Sequence, residues 1–302
     1  MSINDFGQKE GPIKRFALWI KDKVKEDIEE LRSHSKKYIV KELIRRLVMV
    51  GALLVFTYSS YEVSGMILDY KEDKKEYQNM EEMFEIPNID GSSDSGDGTV
   101  KGSTISNSNQ ENVWKYDYNA LVNMNPDAVG WIKQENIISY PIVMGTDNTY
   151  YLKHNAAHRE NGAGSIFVDY RIDGGLDGWN CIIYGHDMKD YSMFGSLTKY
   201  MEKSYADAHP TFDIYIGDVG YRYYVFAAYE TDAVGDTYSY NFVDEGEFIN
   251  YVNLVCMPQR RYETEIKEIV GTDKIVTLST CTRNGRNERR FVVQAVRREQ
   301  IT

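Results

Sequence analysis

Cysteine is scarce and odd in number: Cys181, Cys256 and Cys281 are the only three in 302 residues. Three thiols build no disulfide framework, and no CxxC pair or Cys/His cluster has zinc-site spacing. No loop sets carboxylates at calcium-ligand intervals either, so no cofactor and no metal are expected. Positive charge is in deficit. A net charge of −11 argues against general nucleic-acid binding, which needs a basic surface to neutralise phosphates. There is no internal repeat, and the one uncharged apolar run is Leu47 to Tyr61. Disorder of the whole chain is excluded by a 42% hydrophobic content and 24 tyrosines.

What is present is unevenly spread. Residues 1–46 carry 12 Lys/Arg against 8 Asp/Glu, a net +4, which leaves −15 for the remainder. Phe16, Ile20, Val24, Ile28 and Leu31 recur three or four apart, the period of an amphipathic helix, and a helix is expected over Phe16 to Arg46. The uncharged run beyond it spans only about 22 Å as a helix, short of the roughly 30 Å hydrocarbon core. Snorkelling by Arg45 and Arg46 and the apolar Val63 to Leu68 lengthen it, so residues 47–68 are expected as a transmembrane anchor. Basic residues on its N-terminal side place the N-terminus in the cytoplasm and the C-terminal bulk outside a single-pass cell-membrane protein. Residues 69–112 read as a linker whose first part is charged and helix-compatible. Gly91 to Asn109 is almost entirely Ser, Gly, Asp, Asn and Thr, too polar to bury a core.

The catalytic domain is expected over 113–302. A helix around Tyr118 to Asn125 precedes strand-like runs at 139–144, 164–169, 180–184, 211–216, 221–229, 274–278 and 290–296. Asp244 to Val255 repeats with helical spacing among them. Many short strands with few helices indicate a mainly β fold, a barrel or sandwich with helical insertions.

Three segments carry chemistry. Lys274 to Cys281 is an apolar strand ending in a thiol beside a polar loop, where substrate can reach it. Cys181-Ile-Ile-Tyr-Gly-His186 is a strand ending at a Gly, which frees the backbone to turn, and then a proton-transfer side chain. Arg290 opens an apolar strand whose short connection to Cys281 allows antiparallel pairing. Together they suit one reaction, in which a thiolate attacks an amide carbonyl, His186 protonates the leaving amine, and a cation stabilises the oxyanion. A free thiol has a pKa near 8.5 and needs a positive neighbour. Arg serves well there because it stays charged and offers a planar set of donors. Cys181 and Cys256 read as packed and inert. Arg289 adjoins Arg290, and register decides which faces the thiol, since neighbours on a strand point to opposite faces.

Thr277-Leu278-Ser279-Thr280-Cys281 resembles the TLxTC strand of sortases, with Arg290 at the family's arginine position. Tyr184-Gly185-His186-Asp187-Met188 and Ser192 to Leu197 are similar to the histidine segment of class B sortases in particular. Trp131-Ile132, Tyr140 to Val143, Asp147 to Leu152 and Gly164 to Tyr170 match as well, so the resemblance spans Val113 to the C-terminus. It implies a membrane-anchored cysteine transpeptidase of Gram-positive bacteria. The implied fold is an eight-stranded sortase-type β-barrel with an N-terminal helix and a helix in the strand 6–7 loop, preceded by a transmembrane helix. It implies cleavage of surface proteins at a C-terminal sorting pentapeptide (Asn-Pro-x-Thr-like) after Thr, through a thioacyl-enzyme. The acyl group then passes to a peptidoglycan or pilin amine. By position, Asn148, Leu152 and Ser279 match groove-lining residues, and Tyr238 and Tyr240 join them from the loop before the second helix. Some members carry an acid two residues after the Cys; here Arg283 stands there, and no acidic catalytic member is expected. The alternatives are an extracellular cysteine protease transferring to water and a non-catalytic surface binding module.

Overall fold

The apolar runs of the sequence close on themselves. In a computed structural model, which describes residues 12–32, 35–86, 114–281 and 288–302, eight strands form a closed barrel. They are β1 (Ala128–Gln134), β2 (Ile138–Val143), β3 (Ile166–Val168), β4 (Asn180–Tyr184), β5 (Thr211–Ile216), β6 (Val219–Asp232), β7 (Ile275–Cys281) and β8 (Arg289–Gln300). Their order around the barrel is β1-β2-β3-β4-β7-β8-β6-β5, and β5 returns to β1 with Tyr215 opposite Trp131. Closure leaves no open edge for another chain to pair with. Seven strands fall where the sequence places them. The eighth, β1, is buried at both ends of its run with little alternation, so its sequence carries no two-residue period.

Pairs β2–β3 and β4–β7 are parallel. A parallel pair needs a crossover rather than a hairpin, and the one from β4 to β7 is long. Strands β5 and β6 lie within that crossover, preceded by a short α-helix at Lys203–Ala208. After β6 comes the expected strand 6–7 helix, at Glu245–Tyr251. It starts at a reciprocal cap: Asp244 Oδ1 accepts from Glu247 N at 2.9 Å, and Glu247 Oε2 accepts from Val243 N at 2.6 Å. It then widens into one π turn, Val252–Cys256.

The β4–β7–β8 part of the barrel wall is buried on both faces. Val276, Leu278, Phe291 and Val293 point into the main core with Trp131 and Phe194. Ile275, Val292 and Val296 point outward, into a second cluster with Phe226, Phe248 and Val252. By the two-residue alternation Thr277, Ser279 and Cys281 share that outer face with Ile275.

The N-terminal part differs from its expected layout. The expected single helix over 16–46 is two, α1 (Pro12–Arg32) and α2 (Lys36–Phe84). The first part of the expected linker is helical, as its sequence allowed: α2 continues to Phe84, but its last turns bury Tyr77, Met80 and Phe84 to 6%, 4% and 2% exposure. Lys133 Nζ donates to Glu81 Oε1 at 2.6 Å, and Tyr77 OH donates to the Gly164 carbonyl. Glu85 then bridges Tyr116 just ahead of the expected N-terminal helix, α3 (Tyr118–Met124), which Asp117 caps. The compact unit that holds the barrel runs from Leu68 to Thr302. The spacer at Gly91 to Asn109 lies outside the described residues. Among the described residues no helix is long and apolar enough to cross a membrane. The uncharged run within α2 is only Leu47–Tyr61, about 22 Å at 1.5 Å per residue.

Candidate active site

Register brings the three segments together. β7 and β8 are antiparallel with Cys281 directly opposite Arg290. Opposed residues point to the same side of the sheet, so Arg290 stands beside the thiol on the outer face. Arg289 is on the other face and donates to Asp232 Oδ1 at 2.7 Å. That settles which arginine adjoins Cys281. Arg290 Nη1 also donates to the Arg289 carbonyl at 3.0 Å, which orients the guanidinium.

On the other side of β7, β4 runs parallel with Tyr184 beside Ser279. The alignment continues past the strand end. Gly185 N donates to Ser279 O at 3.2 Å, and Thr280 Oγ1 donates to Gly185 O at 2.8 Å. The next residue, His186, is thereby level with Cys281. Gly185 serves by its size rather than by a turn at positive φ: a Cβ there would lie 2.5 Å from Ile166 Cδ1 and 2.7 Å from the Phe194 ring. His186 Nε2 is 2.8 Å from the Leu152 carbonyl oxygen. A carbonyl only accepts, so Nε2 carries a proton and Nδ1 is the nitrogen left to exchange one.

Cys281 is exposed at the strand end, whereas Cys181 and Cys256 are buried. Burial pushes both buried thiols up, Cys256 to about 11, which keeps them protonated and inert. Arg283 lies outside the described residues.

Of the five expected groove residues, Ser279, Tyr238 and Leu152 adjoin the Cys281 and His186 segments, while Asn148 and Tyr240 stand a step away, against Tyr170 and Arg171. Ser279 Oγ and Tyr238 OH are 2.9 Å apart. Burial raises the Tyr238 phenol's pKa; the Ser279 bond and the Arg290 charge oppose that rise, and Cys281 adds to it. The Tyr238 hydroxyl therefore senses both residues of the Cys281–Arg290 pair. The Tyr238 and Tyr184 rings stack at 6.3 Å. Leu152 is 39% exposed beside His186, which its carbonyl holds. Asn148 accepts from Tyr170 N at 3.2 Å, and Tyr240 covers the Arg171 guanidinium at 5.3 Å.

The last two contacts lead to a pair that the sequence reading missed. Asp169 has a fully buried side chain and accepts three bonds from Arg171, from its backbone N at 3.1 Å, Nε at 2.9 Å and Nη2 at 2.6 Å. It accepts a fourth from Tyr184 OH at 3.0 Å, and the Asn148 side chain bonds it too. Burial alone would raise the carboxyl's pKa; these bonds, led by Arg171, outweigh it and leave it lowered. In sequence Asp169-Tyr-Arg171 looks like an ordinary solvated charge pair after a strand, and nothing in it signals burial.

A closed barrel presenting one exposed thiol at a strand end, between an arginine and a histidine, defines a class: cysteine enzymes of acyl transfer. Comparison with known proteins specifies it. The sortase domain family matches residues 132–298, more than half of the chain. Sortase B of Listeria monocytogenes is 41% identical over 176 residues, covering 58% of this chain and 71% of that protein. The structure of sortase B from B. anthracis in complex with AAEK1 superposes with TM-score 0.59 at 30% identity, covering 76% of this chain and 98% of that one. The Staphylococcus aureus sortase B–substrate complex superposes with TM-score 0.55 at 28% identity, covering 60% of this chain and 84% of that one. The chain belongs to the sortase family, and is a cysteine transpeptidase that anchors surface proteins.

Proposed function

We propose that Cys281, His186 and Arg290 carry the transpeptidation and that the groove over β4 and β7 takes an Asn-Pro-x-Thr-like sorting pentapeptide. The observation that carries this reading is the register: Cys281 on β7 is directly opposite Arg290 on β8, and Gly185 is bonded alongside Ser279 and Thr280 on β7, which sets His186 level with the thiol. The Cys281 thiolate attacks the Thr carbonyl carbon and the new charge on oxygen falls to the Arg290 guanidinium. The C–N bond breaks as His186 gives a proton to the departing amine, leaving a thioester. An incoming amine then attacks that carbonyl, His186 takes its proton, and the C–S bond breaks to return the thiolate. Asn148, Leu152, Tyr238 and Tyr240 hold the peptide; Ser279, expected among them, is 1% exposed and acts from beneath, through its bond to Tyr238. The acceptor is a primary amine of peptidoglycan or of a pilin.

The same reading places the chain on the outer face of a cell membrane, N-terminus inward, anchored by residues 47–68. Support comes from α2, where Leu47, Val48, Leu53, Leu54, Val55 and Phe56 are each more than 60% exposed and Arg45 and Arg46 immediately precede them. Tilt and snorkelling arginines make up the length that the uncharged run lacks.

The test is the full chain in detergent beside its Cys281→Ala variant. Both are incubated with fluorogenic sorting peptides, with and without oligoglycine or a diaminopimelate-type amine. Cleavage that requires Cys281 and yields an amine-ligated product by mass spectrometry is expected. Cys281-dependent cleavage that gives only the free acid in the presence of amine would make the chain a protease instead.

A further inference from the structure

Beneath the loop that carries Tyr238 and Tyr240 lies a set of buried polar groups that the reaction above does not use. Asn180 on β4 and Gln294 on β8 are both fully buried. Asn180 Oδ1 accepts from Thr277 Oγ1 at 2.8 Å, and its Nδ2 donates to Tyr251 OH at 3.0 Å and to the Ser239 carbonyl at 2.8 Å. Gln294 Nε2 donates to Thr277 Oγ1 at 3.0 Å and to Tyr251 OH at 3.3 Å. Tyr251 in turn donates its proton to the Thr237 carbonyl at 2.7 Å. The two carbonyls that flank Tyr238 are thus each gripped from below, Thr237 by Tyr251 and Ser239 by Asn180. Tyr238 itself reaches Ser279, two residues before Cys281.

The π turn is part of this device. Cys256 follows Tyr251 by five positions, a spacing that faces apart on an α-helix but comes round to one side over an i→i+5 turn. Both side chains meet the sheet there, with the Cys256 thiol fully buried among Tyr251, Gln294 and Tyr229. A buried network with every member satisfied is stiff, and removing one hydroxyl leaves several groups short of partners at once.

We infer that Tyr251, together with Asn180, is a positioning residue for sorting-peptide recognition: it holds loop 236–240 so that Tyr238 meets the peptide beside Cys281. The inference rests on the transpeptidase reading above and adds to it the element that shapes the peptide site from behind.

The experiment compares the full chain with Tyr251→Phe, Asn180→Ser, Tyr238→Ala and the Tyr251→Phe/Tyr238→Ala double variant. The readouts are KM and kcat for the sorting peptide, the rate of Cys281 alkylation by iodoacetamide, and the melting temperature. Tyr251→Phe is expected to raise KM about fivefold to thirtyfold, the factor that corresponds to losing one or two kcal/mol. Its kcat should stay within about twofold and its alkylation rate should be unchanged. In the Tyr238→Ala background the same substitution should change KM by less than about twofold, because the side chain it positions is gone. Asn180→Ser should repeat the pattern from the other carbonyl, and decides the matter if Tyr251→Phe does not fold. A lowered melting temperature with an unchanged KM, or a KM effect of equal size with and without Tyr238, overturns the inference. A wild-type chain that cleaves no sorting peptide overturns the transpeptidase reading as well; an active wild type whose KM ignores both variants overturns this inference alone.

Discussion

If the last turns of α2 belong to the barrel's core rather than to a tether, Phe84→Ala should destabilise the catalytic unit as a core substitution does. Phe84 is 2% exposed and lies 6.4 Å, edge to face, from the fully buried Trp131. Cutting it to Ala removes a buried ring and leaves a cavity against a wall of the barrel, at a cost of about 3–5 kcal/mol. A typical domain has about 5–15 kcal/mol in total, so the loss is a large share. With a urea slope near the upper end of the usual range, about 3 kcal/mol per molar, the midpoint should fall by roughly 1–1.7 M. The assay is urea unfolding of the full chain followed by tryptophan fluorescence, since Trp131 and Trp114 report from this face of the barrel. Met83 supplies the control. It precedes Phe84 on the same helix but is 69% exposed, so Met83→Ala should stay within about 0.5 kcal/mol. Equal midpoints for the two variants would refute the argument and return residues 68–86 to the spacer.

Arg290→Lys should lower kcat/KM for the sorting peptide by about tenfold or more, because an ammonium cannot reproduce the guanidinium's planar donors, whereas Arg289→Lys, an exposed pair with Asp232, should change it by less than about threefold. Peptide-cleavage kinetics check this, and a larger effect at Arg289 would sink the register argument. Asp169 makes an acid-stability prediction. Its folded pKa is lowered, so it contributes stability above the unfolded carboxylate value near 4 that is lost as pH falls through the lower folded value. Asp169→Asn should therefore unfold more easily at pH 7 yet show a shallower loss between about pH 4 and 2. Urea midpoints across that range test it, and parallel curves for the two proteins would rule it out.

Most strands were legible because each keeps β-branched and aromatic residues between turn-formers, and the strand 6–7 helix because Phe248, Val252 and Val255 repeat at helical spacing. What escaped has physical reasons. Trp131 and Ile132 in β1 are both fully buried, so no alternation marks the strand. The last turns of α2 are rich in Lys and Glu, and a charged helix reads as solvated until the barrel that covers Tyr77, Met80 and Phe84 is in place. Of the site, Cys281, His186 and Arg290 could be named because each sits at a strand terminus. Arg290 is preferred to Arg289 only because the apolar strand follows it directly; what decides between them, the pairing with β7, is not written in the sequence. Nor could the sequence show that Asp169 is buried, or that Asn180, Tyr251 and Gln294 meet from three separate elements.

The reactive cysteine differs from the other two by position along a strand rather than by any neighbour in sequence. Thr277, Ser279 and Cys281 stand in one column on the outer face of β7. Thr277 is fully buried and bonded to Asn180 and Gln294; Ser279 is 1% exposed and bonded to Tyr238; Cys281 is exposed. Moving up the column exchanges internal partners for solvent and substrate. A thiol at the bottom would share the fate of Cys256, which the same network surrounds and burial holds protonated. Two residues of strand beyond the last buried partner are what separate a packed sulfur from one that a peptide and an arginine can both reach. Lengthening or shortening β7 by one residue would turn Cys281 onto the inner face, away from Arg290. The polar ladder beneath therefore sets the register on which the chemistry depends, in addition to satisfying its own hydrogen bonds.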